Sequence, residues 1–161
     1  MPNAVPALRA AAALPQPYLL FLGDTTEPGY AKTAFGLRDW AADRCVGEYA
    51  CEGAGVSTGL PFLSPAQARQ AGARAMVIGV ANPGGRIPAA WVPALVEALQ
   101  AGLDLIGGMH ARLSAIESLR NVAMAHGRRL IDVRGPPPNL PVADGRKRSG
   151  RRLLTVGTDC A

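Results

Sequence analysis

The 161 residues suffice for one domain with a sizeable core, and 48% hydrophobic with 18% charged side chains is ordinary for a globular protein. No apolar run approaches a bilayer span, and residues 2–17, rich in Ala and Pro, lack the charged-then-apolar order of a secretory signal, so a cytoplasmic protein with no membrane partner is expected. The formal charge of +5 is local: residues 146–152 hold five basic side chains, and the other 12 of the 17 balance the 12 acids. With no aromatic residue interleaved, that run reads as a solvated linker and nucleic acid is not expected as a partner.

In chain order, residues 1–17 are expected to be a disordered extension. Tyr18-Leu-Leu-Phe-Leu-Gly23 is a short apolar run of the kind that forms a strand buried on both faces. Asp24–Gly29 is a turn, and Ala31–Ala42 carries Ala34, Leu37, Trp40 and Ala41 at helical spacing. A weaker strand is expected at 45–50. Ser64-Pro65-Ala66-Gln67 predicts a helix start, with a capping hydroxyl, Pro in the first turn and Gln returning to the cap. Ala75–Val80 is the next strand, and a helix over 89–101 leads to a strand at 103–106. Ser114 with Glu117 predicts a second capping box, opening a helix that closes at Gly127, and a strand follows at 129–133. Gly72, Gly102 and Gly127 each stand between a helix and a strand, where a left-handed C-cap is common. These β-α-β repeats predict an α/β, Rossmann-like three-layer domain over 18–134 with a mostly parallel sheet and right-handed crossovers. Residues 135–152, opening on Gly135-Pro136-Pro137-Pro138, read as a linker, and 153–161 as the first strand of another domain.

In such sheets ligands bind beyond the carboxyl ends of the strands, so the residues after each strand are the candidates. Gly23–Gly29 lacks the close glycines of a dinucleotide fingerprint, which disfavours a nicotinamide enzyme; Glu48 and Glu52 alone do not restore it. Asn82, Gly84, Gly85 and Arg86 form a glycine-rich turn before a helix, either a candidate anion site or a tight turn needing Gly. His110 stands in a catalytic position, although a lone His at a helix entrance is more often structural. Asp24 and His110 are the candidate catalytic residues. Asp132 and Arg134 end the last strand, with mutual pairing the simpler expectation. Cys45, Cys51 and Cys160 form no C-x-x-C pair and lie far from both His in sequence, so reduced thiols and no metal site are expected. Gly157, Thr158, Asp159 and Cys160 follow a strand-like run and match the opening of a phosphate-binding P-loop, whose second Gly and Lys would come after Ala161.

The segments YLLFLGD (Tyr18–Asp24), GLRDW (Gly36–Trp40), VIGVANPGG (Val77–Gly85), GMHARL (Gly108–Leu113), LIDVR (Leu130–Arg134) and LLTVGTDC (Leu153–Cys160) together resemble the N-terminal part of a bacterial two-domain family that includes D-glutamate N-acetyltransferases. The resemblance implies a Rossmann-like N-terminal domain and a C-terminal P-loop domain, with acetyl transfer from acetyl-CoA to the amino group of an acidic D-amino acid. Gly157–Cys160 then become the first part of a partial P-loop that holds acetyl-CoA or a nucleotide. On this reading the chain is a fragment truncated inside that loop, inactive alone, and the full-length form is a homo-oligomer acting on a small-molecule substrate. The alternative is a non-catalytic anion-binding or oligomerisation domain of a P-loop NTPase- or ligase-like protein.

Overall fold

A computed structural model describes residues 14–134, 145 and 149–151. Five strands, β1 (Tyr18–Phe21), β2 (Cys45–Tyr49), β3 (Ala75–Ile78), β4 (Asp104–Gly107) and β5 (Leu130–Asp132), form one sheet in the order β2-β1-β3-β4-β5. Every neighbouring pair is parallel. The apolar runs become β1, β3 and β4, buried along their whole length because helices cover both sheet faces.

The helices are α1 (Lys32–Trp40), α2 (Pro65–Gln70), α3 (Val92–Gln100) and α4 (Glu117–Ala125). The chain steps outward from β1 to β2, then returns past β1 to β3. With right-handed crossovers, that reversal places α1 on one face and α2, α3 and α4 on the other, where α3 packs on both α2 and α4. The core joins Leu19, Leu20, Phe21 and Leu105 to Leu95, Leu99 and Leu119. Each such burial contributes roughly 1.5–3 kcal/mol against conformational entropy. Phe21 meets Trp91 edge-on, with ring centroids 5.6 Å apart.

The expected elements between residues 18 and 134 form, most with shorter bounds and β4 shifted by one residue, and Gly72, Gly102 and Gly127 take the left-handed conformation at the helix ends. Three details differ. Ser64 and Gln67 make the full capping box, whereas Ser114 lies in a 3-10 turn and α4 starts from Ile116 with no side-chain cap. The Ser114 hydroxyl faces Asp132 Oδ2 instead, at 3.5 Å. Trp40 does not belong to the core: it is 91% exposed, and α1 fully buries only Ala34. The folded unit also starts before residue 18, because the Pro17 carbonyl accepts from the Arg74 amide at 2.8 Å. Residues 1–13, most of the expected linker and the strand expected at 153–161 lie outside the described residues.

Glu48 is a carboxylate in the middle of β2 and only 4% exposed. It accepts from the Ser57 hydroxyl and from both the amide and the hydroxyl of Thr58. Those donors satisfy the carboxylate without water and pin the loop after β2. Glu48 is thus a structural anchor and not a ribose-binding acid, and Glu52 is exposed in the following turn. On the outer side of β2, the Glu48 amide donates to Pro61 O and the Leu63 amide to Glu48 O, both at 2.9 Å.

Candidate functional site

The strand order reverses between β1 and β3, so the loops after these strands diverge and leave a crevice. A cavity of about 280 Å³ lies there, lined by Tyr30, Lys32 and Thr33 from the start of α1 and by Ala81, Asn82 and Pro83 after β3. Its two walls are joined by backbone bonds: Ala34 N donates to Gly79 O at 2.9 Å and Ala81 N to Tyr30 O at 2.8 Å.

The 82–86 turn closes on itself. Asn82 Nδ2 donates to Arg86 O at 2.8 Å, Arg86 N donates to Asn82 Oδ1 at 3.0 Å, and Gly85 N donates to Asn82 O at 2.9 Å. The side chain of Asn82 and the amides of Gly85 and Arg86 thus brace the turn. The exposed Arg86 guanidinium is the group this turn offers to a ligand.

The turn also carries the loop after β4. Ala111 N donates to Gly85 O at 2.9 Å, and a Cβ on Gly85 would lie 2.2 Å from His110 Cδ2 and 2.9 Å from its backbone nitrogen. With φ at +57°, only glycine fits without strain. His110 is exposed, and its Nε2 stands 3.5 Å from Arg134 Nη1 after β5. Asp132 does not pair with Arg134: its Oδ1 accepts the Leu113 amide at 2.8 Å.

Asp24 sits apart from this group. Trp91 Nε1 donates to Asp24 Oδ1 at 2.7 Å, and Trp91 packs against Gly23, where a Cβ would meet the indole at 2.5 Å. β3 separates β1 from β4, so Asp24 and His110 are on the order of 10 Å apart at strand level. The two candidate catalytic residues would meet only through a ligand bridging them. Burial pushes the Cys51 thiol up, with the Asp24 carboxylate adding to the shift. Tyr49, at the end of β2, donates to Glu97 Oε2 at 3.0 Å, and burial followed by that carboxylate raises its phenol.

The structure therefore brings Gly85, Arg86, His110 and Arg134 to the ends of three adjacent strands. It leaves Asp24 with Trp91 and Cys51. Sequence reading missed the Trp91–Asp24 and Tyr49–Glu97 bonds, whose partners are 67 and 48 residues apart. The partial P-loop residues Gly157, Thr158, Asp159 and Cys160 lie outside the described residues. Among the described residues, no three of His, Cys, Asp or Glu gather as metal ligands, and no helix is long and apolar enough to cross a membrane.

Comparison with known proteins adds three observations. Residues 43–136 match the model of a domain of unknown function, DUF1611_N, described as a Rossmann-like domain. Two proteins named D-glutamate N-acetyltransferase are similar to the chain over 145 residues, 90% of its length: one from Tritonibacter scottomollicae at 49% identity and one from a Pseudoalteromonas species at 42%. The chain spans 44% of the length of each of these curated relatives. The crystal structure of a DUF1611 family protein from Anabaena variabilis superposes with a TM-score of 0.64 at 32% identity, covering 81% of this chain and 40% of that one.

Proposed function

The chain belongs to the DUF1611_N family of Rossmann-like domains, and on that premise we propose that it is the N-terminal domain of an N-acetyltransferase whose full-length form acetylates an acidic D-amino acid such as D-glutamate from acetyl-CoA. The observation that carries this reading is the 49% identity, sustained over 90% of the chain, to a protein named D-glutamate N-acetyltransferase.

The reaction forms a C–N bond between the amino nitrogen and the acetyl carbonyl, breaks the thioester C–S bond and releases the CoA thiol. The amine must lose a proton, and an acidic substrate brings carboxylates that need cationic partners. Arg86 and Arg134 are the residues proposed to hold a carboxylate at the carboxyl edge. His110, beside Arg134, is the proposed proton acceptor. Asp24, held by Trp91 on the far wall of the crevice and on the order of 10 Å from His110, is assigned no contact with the reacting amine. The acetyl donor's phosphates are assigned to the segment from Gly157, as the family resemblance implies.

The test uses the full-length protein with acetyl-CoA and D-glutamate, following thiol release and the N-acetylated product by mass spectrometry. Turnover is expected with D-glutamate in preference to L-glutamate. Arg134→Gln is expected to raise KM about tenfold or more, the loss of one charge-assisted pair. No acetylated product from any acidic D-amino acid would overturn the reading.

A further inference from the structure

A larger cavity lies at the opposite edge of the sheet. About 700 Å³ in volume, it opens where the chain enters β1, β3, β4 and β5 and is lined by Gln16, Arg69, Arg74, Asp104, Arg128 and Arg129, among others. Four guanidiniums face one carboxylate, a formal +3. Three helix C-termini also reach this edge, each worth roughly half a negative charge at most, and the cavity stays positive after that offset.

The arginines are held in place but not saturated. Arg69 Nη1 donates to Ala73 O at 3.1 Å. Arg128 donates from Nη1 to Gly102 O at 3.2 Å and from Nε to His126 O at 3.1 Å. Arg129 donates from Nε to Asp104 Oδ2 at 2.8 Å, and its amide donates to Oδ1 at 2.9 Å. The Asp104 side chain is 8% exposed, so this bond fixes the Arg129 guanidinium at the rim. Arg74 makes no side-chain hydrogen bond or ion pair to a described residue. A guanidinium carries five N–H donors, so most donors of this set have no acceptor among the described residues.

We propose that this cavity binds a diphosphate-class anion. Arg74 stands at the start of β3 and Arg128 and Arg129 at the start of β5, with β4 between them, so they span about 10 Å, wider than one tetrahedral oxyanion, and Arg69 joins them from the end of α2. Guanidinium forks match phosphate oxygens two at a time. A single tetrahedral anion would reach only part of that span, whereas a diphosphate carries two phosphoryl groups to bridge it. The inference stands apart from the acetyl-transfer reading, which places its chemistry at the other edge.

The test is calorimetric titration of the chain with inorganic diphosphate, with amide shifts of Gly102 and Gly127 followed by NMR. Binding tighter than about 1 mM is expected, with both glycine amides shifting. Arg74→Gln, which removes no described bond, is expected to weaken binding about tenfold and Arg69→Gln to add to that, while Arg86→Gln at the other edge leaves it unchanged. ADP and coenzyme A both carry a diphosphate and are expected to compete with the probe. The proposal is overturned by no heat or shift at about 10 mM diphosphate, by equal weakening in Arg86→Gln, or by ADP and coenzyme A both failing to displace the probe.

Discussion

At the carboxyl edge of the sheet, loops are held by side-chain acceptors: Asn82 Oδ1 takes the Arg86 amide, Asp132 takes the Leu113 amide and Ser64 takes the Gln67 amide. At the amino edge most are held by side-chain donors: Arg69 reaches Ala73 O, and Arg128 reaches Gly102 O and His126 O, while Asp104 accepts the Arg129 amide. The contrast follows from the handed β-α-β path. Helices begin at the carboxyl edge, where free amides need acceptors, and end at the amino edge, where free carbonyls need donors. Each edge thus acquires its chemistry first for structural reasons. What differs is the remainder. Among the described residues, the acceptors at the carboxyl edge are largely used up, whereas each arginine at the amino edge keeps most of its donors.

The sharpest way to break this comparison is Gly85→Ala. A left-handed φ and overlap with both the ring and the backbone of His110 should cost about 3 kcal/mol, seen as a lower urea midpoint. His110→Ala in the same chain should recover only part of it, because the backbone overlap remains; full recovery would mean that the two loops are not locked as described. At the amino edge, Asp104→Ala should cost about 2 kcal/mol by removing both bonds to Arg129. Arg74→Gln should change stability by less than about 0.5 kcal/mol, and a larger loss would make that arginine structural.

Ser64→Ala should cost about 1 kcal/mol as the capping box is lost, against less than about 0.5 kcal/mol for Ser114→Ala. Equal losses would return Ser114 to the capping role that its spacing with Glu117 suggests. The smallest effect concerns Cys51. Its folded pKa lies above that of the unfolded thiol, so the protonated form is favoured. The associated stability is complete below about pH 8.5 and is lost as pH rises through the folded value. Alkylation of Cys51, read by peptide mass mapping, should be slower than for a free thiol. Asp24→Asn should speed it only a few-fold, since burial is the larger cause.

The strands were legible because burial on both faces leaves an unbroken apolar run, as in Leu19–Leu22 and Met76–Ile78. α2 was legible because a capping box is a local device. Trp40 misled because helical spacing says which residues share a face, not whether that face is covered. Ser114 misled because Asp132, 18 residues away, competes for its hydroxyl. The carboxyl-edge loops could be found by counting from strand ends, which brought out Asn82–Arg86 and His110 but not how tightly Gly85 joins them. Arg69, Arg74, Arg128 and Arg129 form no motif along the chain. Only the return of the chain past β1, which aligns the starts of β3, β4 and β5, gathers them around one cavity.

The bonds that Pro61 and Leu63 make to Glu48 also decide how the sheet can grow. They occupy the outward backbone groups at the middle of β2, and the Phe62 ring lies on that flank, tilted against Tyr49 with centroids 5.7 Å apart. β5, only three residues long, bonds to β4 and to no other strand among the described residues. The sheet is therefore a one-ended template: a sixth strand, from this chain or another, would join beside Leu130–Asp132, next to Arg134 and His110.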